Sequence, residues 1–196
     1  MSRVPNAIEE LRTDRLVLRR WRPGDKEAFA RLNAHLVVME YFPSALDRAE
    51  SDAFADRIQA GFVTNGYGLW AVELPGEADF IGYVGLAPAN FEAHFTPAVE
   101  VGWRLARNYW GRGFATEAAR AVVADGFDRV GLEEIVSFTV PANTRSVRVM
   151  EGLGMTRDPA DDFDHPRLPV GHRLRRHVLY RLKRPTSNAG GSLPGC

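Results

Sequence analysis

The residues best suited to chemistry lie in one stretch, Glu100 to Ala119. Val99, Val101, Trp103 and Leu105 alternate as in a strand, and a polar bend follows at Arg107-Asn108. The chain then tightens through Gly111 and Gly113 and opens into a small-residue helix from about Ala115. Strand, glycine-bearing turn and helix start together build an anion site from backbone. The first helical turn leaves free N–H groups, the macrodipole adds positive potential, and glycines let a diphosphate approach closely.

Other reactive side chains are fewer. Cys196, the single cysteine, ends a polar tail, which removes a disulfide framework, a multi-cysteine metal site and a buried thiol nucleophile. Asp161, Asp162, Asp164, His165, His172 and His177 cluster late in the chain, but their spacing matches no metal motif. The reading is therefore of no metal, with residues 158–172 as a mobile acidic loop that attracts a cationic acceptor, or as plain surface. A formal net charge of zero removes the broad basic field of a nucleic-acid binder. No run approaches the roughly 18 apolar residues of a membrane span, and the start of the chain lacks a signal peptide's apolar run. Those features give a cytoplasmic protein as the expectation. An apolar content of 45% over 196 residues suffices for one compact core.

The elements that must position the stretch follow from periodicity. Residues 15–21 read as a first strand, and 25–33 as a helix with Asp25 as a plausible cap. A second helix runs from Asp47 to about Phe62, with Ala53, Phe54, Arg57, Ile58 and Gly61 at helical spacing, and Asn65-Gly66 ends it. Residues 69–74 and 80–86 form a hairpin around Pro75–Asp79. After the strand at 99–105, a helix spans 115–130 with Ala119, Val122, Val123, Phe127 and Val130 inward, stopped by Gly131. A strand at 134–140 leads to a helix opening at Pro141-Ala-Asn-Thr, then come a short strand near 155–157 and a closing strand at 174–182. Residues 11–183 read as one domain, with 1–10 as an extension and 184–196 as a flexible tail. The order gives a mixed α/β sheet with helices on both faces.

Trp110-Gly-Arg-Gly-Phe-Ala-Thr-Glu-Ala118 resembles the pyrophosphate loop of the GNAT superfamily of N-acetyltransferases, in its RimJ/RimL-like branch. The family pattern is Arg or Gln, two residues, Gly, one residue, Gly or Ala; Gly113 and Ala115 fill the last two places and Trp110 departs at the first, as that branch does. Asn143-Thr-Arg-Ser146 through Leu153-Gly154-Met155, and the late run from Phe163 to Leu182, match it as well. The resemblance implies the GNAT acyl-CoA fold (α+β), a mostly antiparallel sheet splayed between its fourth and fifth strands. It also implies acetyl-CoA as donor and admits a homodimer. The implied coenzyme contacts are the backbone of Trp103, Arg104 and Leu105, the turn and helix start Gly111, Arg112, Gly113, Phe114, Ala115 and Thr116, and Asn143. Arg107 and Arg112 either reach the coenzyme's phosphates or stay solvated.

The implied reaction is direct attack of a primary amine, a protein N-terminus or a small molecule, on the thioester. It needs a proton acceptor, oxyanion donors and a proton for the thiolate. Glu100 is the base, directly or through water, unless it pairs with a sheet arginine. Many family members donate from a tyrosine seven residues after the motif's Asn. Here that place is Met150, and Ser146 stands in for it, unless it serves only the helix N-terminus. The acceptor walls are assigned to Leu36–Ser44 and Asp158–Gly171. With no evident dyad, an amine of low pKa is favoured: an α-amine is about one-tenth neutral at pH 7, and a lysine amine only about once in 2,500. A GNAT-like protein that binds acyl-CoA without turnover is the alternative. A nucleotide-binding module using the same turn is a second alternative, weakened because neither a P-loop ending nor Gly-x-Gly-x-x-Gly is present.

Overall fold

The computed structural model describes residues 8–185. Cys196, most of the 184–196 tail and most of the 1–10 extension lie outside the described residues. Among the described residues eight strands form one sheet path in the order β1-β2-β3-β4-β5-β6-β9-β7, and a ninth, β8, pairs with β9 off that path. In chain order these are β1 Glu10–Arg12, β2 Val17–Arg19, β3 Leu69–Leu74, β4 Ala78–Pro88, β5 Val99–Leu105, β6 Glu134–Thr139, β7 Thr156–Arg157, β8 Phe163–Asp164 and β9 Arg176–Lys183. The helices are α1 Asp25–Ala34, α2 Arg48–Asn65, α3 Phe114–Asp125 and α4 Thr144–Gly152.

All pairings are antiparallel except that of β5 with β6. Those two parallel strands register at a single pair, Glu100 with Val136, and then diverge. The sheet is therefore open from Glu100 toward Leu105, where the sequence reading expects the splay. Side chains on β5 alternate between faces. Glu100, Gly102 and Arg104 align with Ala87, Gly85 and Tyr83 of β4, whereas Val101 and Trp103 align with Leu86 and Val84. The Tyr83 face carries α1 and α2, with Phe29 and Phe54 ring centroids 5.9 and 6.1 Å from Tyr83. The Leu86 face carries the continuation of α3, where Gly126 sits so close that a Cβ would meet Leu86 and Ile135 at 3.0 Å.

Helix ends follow local chemistry. Asp47 and Glu50 form a reciprocal capping box on α2, and left-handed Gly66 closes that helix. The fully buried stripe of α2 is Ser51, Ala55, Ile58 and Phe62, with Phe54 partly buried against the core and Ala53 and Arg57 exposed, so the expected stripe holds at Phe54 and Ile58. The weak amphipathic pattern of this helix leaves its rotation to tertiary packing. Asp25 does not cap α1. It is buried and accepts two bonds from the Arg19 guanidinium (2.8 and 2.9 Å) and one from the Arg22 N–H. A buried charge needs such a partner, and that need overrides its capping propensity. After α3 the chain makes a π turn, Gly126–Val130, before left-handed Gly131. That turn leaves Val130 only partly buried.

Candidate active site

The turn between β5 and α3 is held by its aromatic residues. The Trp110 indole N–H donates to the Leu105 carbonyl at 2.7 Å, with the Arg107 guanidinium 5.0 Å above its ring. Gly111 and Gly113 have φ of 73° and 81°, left-handed values that cost an L side chain about 1–2 kcal/mol and a β-branched one more. Gly113 is the N-cap of α3 and makes no side-chain cap bond. The first intrahelical bond runs from Glu117 N–H to the Gly113 carbonyl (3.0 Å), so the Phe114, Ala115 and Thr116 amides are the unsatisfied groups of the helix start. Glu117 points away, bound by the Thr13 hydroxyl (2.6 Å) and the Arg15 guanidinium (2.7 Å), which ties the start of α3 to the β1–β2 turn.

The α4 start supplies a second set of polar groups. Asn143 caps α4 by accepting from Ser146 N–H at 3.3 Å. Its amide nitrogen donates to Ser146 Oγ and to Thr139 Oγ1, both at 3.0 Å. Ser146 Oγ also accepts from the Trp103 indole at 3.3 Å. A hydroxyl has two lone pairs and one proton, so two incoming donors leave the Ser146 proton to be given elsewhere. Met150 is fully buried in the core, so that position presents nothing to this surface.

Glu100 lies where the two strands part. Its open side faces the cleft, and the protein around the carboxyl pushes its pKa up to about 8 by desolvation. No hydrogen bond or ion pair joins it to any described residue, so it is not an arginine's structural partner. Across the cleft stand Tyr41, Phe42 and Pro43 from the α1–α2 connection, and Phe138, His165 and His177 from the far side. Burial lowers both imidazoles, His165 to about 4, so at neutral pH they are uncharged. Their rings are 5.3 Å apart and join a cluster with Phe91, Phe138 and Phe163.

One cleft of about 950 Å³ collects Glu100, Ser146, Trp103, Arg104, Leu105, Gly111, Gly113, Phe114, Ala115, Thr116 and Asn143. Arg112 is the expected site residue it does not collect. Its guanidinium turns outward to both carboxylate oxygens of Glu77 (2.9 and 3.0 Å), because a bidentate acid partner lies closer than any cleft group. The late loop also differs from expectation. Asp161 pairs with Arg181, Asp162 with Arg157 and Asp164 with Arg175, so these acids are neutralised and attract no cation. Among the described residues no group of acids, histidines or cysteines could hold a metal, and no helix is long and apolar enough to cross a membrane. Sequence reasoning missed Arg145 and Arg148 on α4, which line the cleft, Arg145 with its guanidinium 4.5 Å over Trp110. Their i, i+3 spacing from one another was the available signal, but surface arginines at that spacing are common.

Comparison with known proteins agrees with this geometry. The family described as the acetyltransferase (GNAT) domain matches residues 15–156. The chain is 32% identical over 151 residues to the uncharacterized Bacillus subtilis protein YkkB, covering 76% of this chain and 87% of that one. It is 30% identical over 150 residues to the uncharacterized N-acetyltransferase YnaD of the same organism, covering 74% and 82%. A solved GNAT-family acetyltransferase from Bacillus anthracis is similar with a TM-score of 0.72 and 26% identity, over 89% of this chain and 98% of that one.

Proposed function

The chain belongs to the GNAT acetyltransferase family and is an N-acetyltransferase, and we propose that it transfers acetyl from acetyl-CoA to a primary amine by direct attack in a ternary complex. The observation that carries the mechanism is the placement of Glu100 and Ser146 on one cleft at the parting of β5 and β6. The donor supplies an activated thioester, and no protein nucleophile is needed. The unsatisfied amides of Phe114, Ala115 and Thr116, with the close approach that Gly111 and Gly113 allow, fit the diphosphate. Because Arg112 is engaged by Glu77, this cradle relies on backbone, with Arg107, Arg145 and Arg148 as the neighbouring cations. The unpaired β5 edge along Trp103, Arg104 and Leu105 offers the pantetheine arm a strand to run beside, and Asn143 is linked to it through Ser146, whose hydroxyl accepts from both Asn143 and the Trp103 indole.

Glu100 takes the ammonium proton. With a pKa of about 8 it is about one-tenth ionised at pH 7, and each ionised carboxylate is correspondingly basic. Such a base suits an α-amine, whose pKa is also near 8. Ser146, polarised by donors from Trp103 and Asn143, gives its proton to the departing thiolate. The RimJ/RimL-like branch is the one that accounts for Trp110 and Ser146 at their places. A screen of thiol release against peptides and small amines tests the proposal: turnover with at least one amine is expected, and failure with the whole panel despite acetyl-CoA binding would refute it.

A further inference from the structure

Arg104 is a buried cation without an anion. Its side chain is 7% exposed, yet no carboxylate among the described residues pairs with it. Nη1 donates to Asn33 Oδ1, and Nε is buried with no acceptor at all. The rings of Phe42 and Tyr83, 3.9 and 5.4 Å from the guanidinium carbon, soften the cost without neutralising the charge. Elsewhere the fold treats buried arginine differently, since Arg19 at 4% exposure is closed by Asp25 and Glu73. An unpaired buried charge is expensive, so a site that keeps one open onto a cleft is built to receive its counter-ion.

The face on which Arg104 lies decides which ligand supplies it. Arg104 shares its side of β5 with Glu100, under α1 and α2, while Trp103 points to the opposite side, where Ser146 and the turn stand. The coenzyme's phosphates belong with the turn, so the missing anion belongs with the acceptor. The chemistry of the other walls agrees. Among the described residues Arg167 also lines the cleft without an acid partner, and Glu100 is the only acidic side chain lining it.

We propose that Arg104 binds a carboxylate of the acceptor, so that the substrate is a small amine carrying a free carboxylate several bonds away, of the short-peptide kind. This rests on the acetyl-transfer reading above. The planar guanidinium carries its N–H groups in a fork that matches a carboxylate. Four residues of strand separate Arg104 from Glu100, about 13 Å along the backbone. A single carbon between amine and carboxylate is too short for this spacing, and a peptide of two or three residues is not.

The test is steady-state thiol release with triglycine against triglycinamide, at saturating acetyl-CoA. Triglycine should be favoured in kcat/KM by about 10- to 100-fold, the range for hydrogen bonds to a charged group. Arg104→Gln should compress that ratio to within about threefold. Asn33→Asp should do the same while keeping the guanidinium, because it gives Arg104 an internal anion; Ser51, now bonded to Asn33 at 2.9 Å, can turn its hydroxyl to donate. A wild-type ratio near one, or a ratio unchanged in Asn33→Asp, overturns the proposal. Should no amine turn over although calorimetry shows acetyl-CoA bound, the acetyl-transfer reading fails instead. The carboxylate site is then read by thermal shift with CoA present. A rise with triglycine and not with triglycinamide, lost in Asn33→Asp, upholds it, and no rise sinks it.

Discussion

The two sides of the cleft are built from different materials. On the α3 side the working groups are backbone amides, set by two left-handed glycines and an uncapped helix start. On the α1–α2 side they are side chains drawn from distant segments: Phe42, Glu100 and Arg104. Backbone recognition suits a ligand part that never varies, because its geometry depends on chain path and tolerates most side-chain change. Side-chain recognition suits the part that defines the substrate, because one substitution re-specifies it.

This contrast can be broken in a graded series. Glu100→Gln removes the proposed base and should lower kcat by about 10²- to 10⁴-fold in amine assays, leaving acetyl-CoA affinity by calorimetry little changed. Gly113→Val forces a β-branched residue to φ near 81° and should weaken acetyl-CoA binding by about 10²-fold or more, with circular dichroism showing the fold retained. Unchanged affinity there would mean that the turn is only a turn. Ser146→Ala should lower kcat by about tenfold, with the deficit shrinking for donors whose thiol is a better leaving group. A deficit independent of the leaving group would leave Ser146 as a helix-capping residue. Arg112→Ala gives the smallest effect, below about twofold in acetyl-CoA Kd, because it removes only an exposed pair with Glu77. A large loss would return that side chain to the phosphate site.

The same division explains what the sequence revealed. Gly111 and Gly113 announce a turn whose function lies in its backbone, so spacing alone located it, and Asn143 with Ser146 stood at a helix start that propensity marks. The alternation from Val99 to Leu105 identified β5, whereas the face shared by Glu100 and Arg104 with Tyr83 became visible only in the register with β4. Three-residue β1 (Glu-Leu-Arg) carries no period to detect, and it forms because β2 offers it an edge. The outward turn of Arg112 depends on Glu77, 35 positions away, and the neutralised late loop depends on arginines from β7 and β9. Such pairings are tertiary facts. Composition showed acids at Asp161, Asp162 and Asp164 but could not show that each is matched.

The account turns on Glu100 acting as a base with a raised pKa. The direct measurement is the pH dependence of kcat/KM, with acetyl-CoA saturating and trifluoroethylamine as acceptor, an amine of low pKa whose own small titration at the acid end is corrected by expressing rates per unprotonated amine. Because the working form is the carboxylate and burial favours the neutral acid, activity should rise with pH and level off through about 8. Glu100→Gln should be slow and flat over the same interval. A wild-type profile already level at pH 6, or a rise near 8 that persists in Glu100→Gln, would contradict the account.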